Sequence, residues 1–192
     1  VLKRDGTLEP LNFNKIANRF KQLKVDVSTD IVAQKVMSSL YDGIPTEAID
    51  TLAAETAIAM ATELVEYEKL AIKLWVSNLH KKAPPTFSDC LESLFQAGII
   101  KKELWEIVKE NKDEFNSIIK KNRDQDINFF GLKTLERGYL TKVDDRLIET
   151  PQYLFLRVSL GIHGSDINDV KTTYNMMSQG YFIHATPTLF NS

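Results

Sequence analysis

The run Lys81-Lys82-Ala83-Pro84-Pro85 constrains the fold of this chain more than any other stretch. Proline fixes its own φ, lacks a backbone N–H and pushes the residue before it out of the helical region, so consecutive prolines end a helix. The paired lysines ahead of them suit the negative end of a helix dipole. A long helix should therefore stop here, with a domain boundary near residues 82–86. At 192 residues and 43% hydrophobic, the chain has enough apolar material for one or two cores, here residues 1–85 and 86–192.

Ahead of the boundary, VLKR and TLEPL alternate around Asp5-Gly6, a dipeptide favoured in hairpin turns, and Pro10 confines the second strand to an edge. Asn12 or Asn14 then caps a helix carrying Ile16, Phe20 and Leu23. Ser28 or Thr29 opens a second, with Val32, Val36 and Leu40, closed by Gly43. Pro45-Thr46 starts a third, through Ile49, Leu52, Ala53 and Thr56 to about Thr62, and a fourth spans about Val65 to His80. Beyond the prolines, helices are expected after Thr86 or Ser88, around 102–110 and 113–121, in FFGLKTLERGYL, from Pro151 onward, and in DINDVKTTYNMMSQGYF, joined by short loops. The fold class expected is mainly α: an N-terminal β-hairpin with four helices, then an all-α segment.

Several chemistries are disfavoured at once. With 24 Lys and Arg against 26 Asp and Glu, no overall positive field draws the chain to nucleic acid or an anionic membrane. No apolar run reaches the roughly 18 residues of a membrane helix, and no signal-peptide core is visible, so the expected location is cytoplasmic. Cys90 stands alone, which fits a reducing compartment and rules out a multi-cysteine zinc site. It sits in an apolar register beside Leu91 and Leu94 and reads as a core residue. His80, His163 and His184 lack carboxylates at ligand spacing, so no protein-held metal is expected. Asp144-Asp145, Asp166 and Asp169 read as turn or cap residues rather than an acid–base pair. Val1 in place of Met, and an end at Phe190-Asn191-Ser192, read as part of a longer protein.

Charge is nevertheless uneven. Residues 1–24 hold Lys3, Arg4, Lys15, Arg19, Lys21 and Lys24 against two acids, while residues 25–68 hold Lys35 against nine. The first face would attract a polyanion, although Arg19, Lys21 and Lys24 read more simply as the solvated side of an amphipathic helix. Neither GxxxxGK[ST] nor GxGxxG occurs, so a nucleotide would need another scaffold.

The strings themselves supply one. KRDG followed by FNKI, then DTLAAETA and SNLHK, resemble the ATP-cone of ribonucleotide reductase large subunits. FGLKTLERGYL, ETPQYLFLRVSLGIH and HATPTLFNS resemble the helical region leading into the catalytic barrel of the class I enzyme, in its eukaryotic and viral type. The resemblance covers nearly the whole chain. It implies an allosteric site for ATP or dATP, with Mg2+, at Lys3, Arg4, Glu9, Pro10, Leu11, Asn12, Phe13, Asn14, Lys15, Thr46, Asp50 and Lys81. Lys3, Lys15 and Lys81 would face phosphates, Glu9 would suit adenine, and Thr46 with Asp50 would line the phosphate or sugar side.

The resemblance also implies reduction of ribonucleoside diphosphates through a cysteine radical generated by a separate small subunit. Working partners would be the remainder of the large subunit, a second copy, nucleotide-dependent higher oligomers and that radical-storing subunit. Cys90 matches none of the family's catalytic cysteines, so no catalytic residue is expected among residues 1–192. Thr186 falls at the hydroxyl position of the substrate-phosphate loop, where serine is common. Two rivals are a repressor that joins an ATP-cone to a zinc ribbon, disfavoured by the single cysteine, and a stand-alone helical nucleotide-sensing or interaction module.

Overall fold

Asn12, rather than Asn14, caps the first helix by accepting the Lys15 N–H at 3.2 Å, in a computed structural model that describes residues 1–192. The fold divides into two compact units, Val1–Asn78 and Leu79–Ser192. Both are built mainly of helices joined by short connections, the class that the apolar periodicity dictates.

The first unit opens as a tight hairpin. Lys3 N–H donates to the Thr7 carbonyl at 2.8 Å and Glu9 N–H to the Val1 carbonyl at 3.0 Å, with Leu2 and Leu8 as an antiparallel bridge. Gly6 makes the reversal at φ +85°, a conformation that side chains resist. Asp5 Oδ1 braces the turn by accepting from the Thr7 N–H and hydroxyl at 2.9 and 2.7 Å. The two expected strands shrink to this bridge, since Pro10 has no N–H with which to extend a ladder. Leu2 uses its other edge too: its N–H donates to the Ile44 carbonyl and its carbonyl accepts from Thr46 N–H, both at 2.9 Å. The hairpin is thereby fixed to the start of the third helix.

Behind it stand α1 (Phe13–Lys21), α2 (Thr29–Met37), α3 (Thr46–Met60) and α4 (Tyr67–Lys82). Ala53, Ala54 and Ala57 of α3 are fully buried, and their small side chains admit Phe20, Val32, Val36, Leu70 and Leu74 to one core. Lys73 Nζ donates to the Leu23 and Lys24 carbonyls at 2.7 and 3.2 Å, which secures the bend after α1 where Lys24 takes φ +50°.

The second unit comprises α5 (Phe87–Gln96), α6 (Lys102–Glu110), α7 (Lys112–Ile118), a 3-10 turn (Lys121–Asp126), α8 (Phe129–Gly138), a hairpin of β1 (Lys142–Val143) and β2 (Arg146–Leu147), α9 (Pro151–His163), α10 (Ile167–Ser178) and α11 (Thr186–Asn191). Thr86 and Thr150 cap α5 and α9 by accepting from the Asp89 and Tyr153 N–H groups. Every residue from Pro151 to Leu160 is buried, so α9 is the axis of this unit and its polar members need internal partners. Gln152 Oε1 accepts the Tyr174 and Ser178 hydroxyls at 2.8 and 2.6 Å, and Gln152 N–H donates to buried Asp124 at 3.2 Å. Arg157 and Glu149, both buried, meet in a fork: Nε to Oε1 at 2.6 Å and Nη2 to Oε2 at 3.3 Å.

The β1–β2 hairpin departs from the sequence reading, which leaves residues 141–148 as a short loop between two helical segments. Two-residue strands are too short to show a period. Asp144 and Asp145 turn it with φ of 48° and 61°, the left-handed pair that a two-residue hairpin loop requires, so they are turn residues as expected. Asp166 caps α10 by accepting the Asp169 N–H at 3.1 Å.

Removing one partner of a buried ion pair leaves the other uncompensated, a loss of about 3–5 kcal/mol. Glu149→Ala should destabilise the second unit by that order in denaturant unfolding. Adding Arg157→Met should recover part of the loss, because no buried charge is then left alone.

Candidate functional site

The hairpin, α1 and the first turn of α3 enclose a cleft of about 120 Å3. Of the positions expected to bind an effector, Lys3, Glu9, Pro10, Leu11, Asn12, Lys15 and Thr46 line it. Helical spacing explains how α1 contributes, since Lys15 and Arg19, four residues apart, share one face. Thr46 is the first residue of the 15-residue α3, where the helix dipole adds positive potential.

Glu9 sits between the two lysines. Its Oε2 accepts from Lys15 Nζ at 2.8 Å and pairs with Lys3 Nζ at 3.2 Å. These hydrogen bonds, that from Lys15 first, hold the Glu9 carboxyl below its usual range. All three side chains are partly exposed, so solvent weakens each pair and a stronger anion can displace the carboxylate.

Asp50 lies behind the cleft and does not line it. Its carboxylate is 1% exposed and accepts from the guanidinium groups of Arg19 and Arg4, the latter at 3.3 Å. Arg4 also donates to Asn78 Oδ1 at 2.8 Å, which commits it to α3 and α4 rather than to the opening. Arg19, whose place on an amphipathic helix suggests a solvated face, instead lines the cleft and links it to Asp50. Its i+4 relation to Lys15 was the available signal. Phe13 and Asn14 occupy the exposed first turn of α1 outside the lining, and Lys81 belongs to the last turn of α4 in the second unit.

Elsewhere the chemistry is sparse. A cavity of about 620 Å3 within the second unit has a mainly apolar wall, including Phe130, Tyr139, Phe155 and Met177, with Thr186 also in it. Arg123 in that wall is engaged with Asn175 and Ser178 at 2.9 and 3.1 Å. His80 meets Asp124 at 2.6 Å, His163 meets Thr173 at 2.8 Å, and His184 packs edge-on against Phe182. No group of three or more His, Cys, Asp or Glu side chains is placed to hold a metal ion. Cys90 is buried, and burial pushes its thiol well above the usual range, which disfavours the reactive thiolate. No helix is long and apolar enough to cross a membrane.

Two stretches of the chain match known protein families. Residues 1–82 match the ATP cone domain, and residues 125–192 match the ribonucleotide reductase all-alpha domain. Over its full length the chain is 45% identical to the ribonucleoside-diphosphate reductase large subunit of Caenorhabditis elegans, covering 26% of that protein. It is 44% identical to large chain 2 of the same enzyme from Saccharomyces cerevisiae and 40% to the large subunit of Vaccinia virus, covering 24% and 27% of them. The chain thus spans about a quarter of the length of these curated relatives. An ATP cone followed by a stretch of the all-alpha domain, in that order and at this identity, places the chain in the ribonucleotide reductase large-subunit family, as its N-terminal part.

Proposed function

We propose that the cleft of the first unit binds ATP or dATP as an allosteric effector of ribonucleoside-diphosphate reduction. The observation that carries this reading is the convergence of Lys3, Lys15, Arg19 and Thr46 on one cleft at a helix N-terminus. A triphosphate bears about four negative charges, and charge-assisted hydrogen bonds from ammonium and guanidinium groups are the strong kind. At about 120 Å3 the cleft is smaller than the 300–1,000 Å3 usual for a small-molecule pocket. The effector would therefore lie partly along its surface and open it by taking the lysines from Glu9. A displaced Glu9 is then free for the exocyclic amine of adenine. Mg2+ would accompany the phosphates, held by them rather than by protein ligands.

The wider reading follows from the family. Residues 1–85 would act as the regulatory domain and 86–192 as the beginning of the catalytic domain of a class I, cytoplasmic enzyme. ATP would raise and dATP lower its activity by changing assembly of the large subunit, which works with a radical-storing small subunit. No nucleic acid or membrane is involved in this reading. Thr186 would contribute its hydroxyl to the phosphate of a ribonucleoside diphosphate.

Lys3→Met with Lys15→Met should abolish ATP and dATP binding in calorimetric titrations, and unchanged affinity would refute the assignment. Glu9→Gln should tighten binding of inorganic tripolyphosphate by about 3- to 10-fold, the sum of two weak surface pairs released. The gain for ATP should be smaller, because the same change removes the adenine contact.

A further inference from the structure

Tyr139 follows α8 and stands half-buried in the wall of the 620 Å3 cavity. It reaches α11 twice. Its hydroxyl lies 3.0 Å from Thr186 Oγ1, and its ring stacks on Phe190, with centroids 5.3 Å apart and planes 11° from parallel. Thr186 and Phe190 are four residues apart, so both contacts fall on one face of α11. A six-residue helix has no stability of its own, so such contacts decide where it sits. On the other side, Arg157 Nη2 holds the Leu189 carbonyl at 3.3 Å.

We propose that Tyr139 is a positioning residue for Thr186: its hydroxyl donates to Thr186 Oγ1 and aims the threonine O–H at the phosphate of the substrate. The proposal rests on the reading of Thr186 as a substrate-phosphate contact. Hydrogen-bond chemistry fixes the direction. An ionised phosphate offers only acceptors, so Thr186 must donate to it. A hydroxyl has one hydrogen, and a threonine that donates to phosphate accepts from its other neighbour. Tyr139 has the hydrogen to give. The reverse order would turn a lone pair toward the incoming phosphate and repel it. In the forward order the tyrosine polarises the threonine O–H and strengthens its donation. The stack on Phe190 holds the tyrosine ring in place for this task.

The test uses the complete large subunit with its small subunit and a ribonucleoside diphosphate. Tyr139→Phe keeps the stack on Phe190 and removes only the hydroxyl. It should raise KM about 3- to 10-fold with kcat within twofold and an unchanged melting temperature. Thr186→Val should raise KM at least as much, and the double variant should be no worse than Thr186→Val alone. If Thr186→Val raises KM while Tyr139→Phe behaves as the parent, the positioning role is overturned and the phosphate contact stands. If Thr186→Val leaves KM unchanged, the phosphate contact itself fails. Independent, additive effects, or a Tyr139→Phe enzyme altered only in stability or kcat, would also overturn the proposal.

Discussion

One buried carboxylate organises the first unit. Asp50 on α3 receives Arg4 from the hairpin and Arg19 from α1, while Arg4 also reaches Asn78 on α4. Asn78 in turn donates to Thr51 Oγ1 at 3.2 Å. An ionised carboxylate out of water costs several kcal/mol unless charged partners meet it, so these elements are held to one arrangement. Arg19 is pinned from behind, and Lys15, one turn earlier on the same face, is carried to the cleft. The geometry of the lysines is a consequence of the aspartate.

The second unit uses the same device. Glu149 and Arg157 are buried in a fork, Glu149 also accepts the Thr141 N–H at 3.0 Å, and Arg157 reaches the Leu189 carbonyl of α11. Exposed pairs such as Lys21 with Asp30 and Lys102 with Glu106 contribute only about 0–1 kcal/mol each. The two buried networks therefore decide where the candidate binding groups stand. In each unit a short, weakly self-supporting segment, the hairpin or α11, is fixed by a guanidinium that also meets a buried acid.

Local signals in the sequence carried most of the fold. The caps Asn12, Thr86 and Thr150, the first-turn Pro151 and the apolar spacing of Ile16, Phe20, Val32 and Val36 act within a few residues, and α1, α2, α5 and α9 follow from them. What stayed hidden was pairing over distance. Nothing near Arg19 announces that Asp50 lies buried 31 residues away, so its sequence neighbourhood suggests only a solvated cation. The β1–β2 hairpin is too short for periodicity, and its turn offers Asp-Asp in place of the more telling Asn-Gly. Lys3, Glu9, Lys15 and Thr46 came through the family motif and meet at one cleft, whereas Arg4 and Asp50 serve it from behind.

If the cations placed by Asp50 form the proposed adenine-nucleotide site, bound nucleotide must order the residues around them. Amide hydrogen exchange with and without dATP reads that ordering residue by residue. Exchange should slow at residues 2–19 and 46–50 when dATP is added. Unchanged exchange there, or protection confined to residues 79–192, would contradict it.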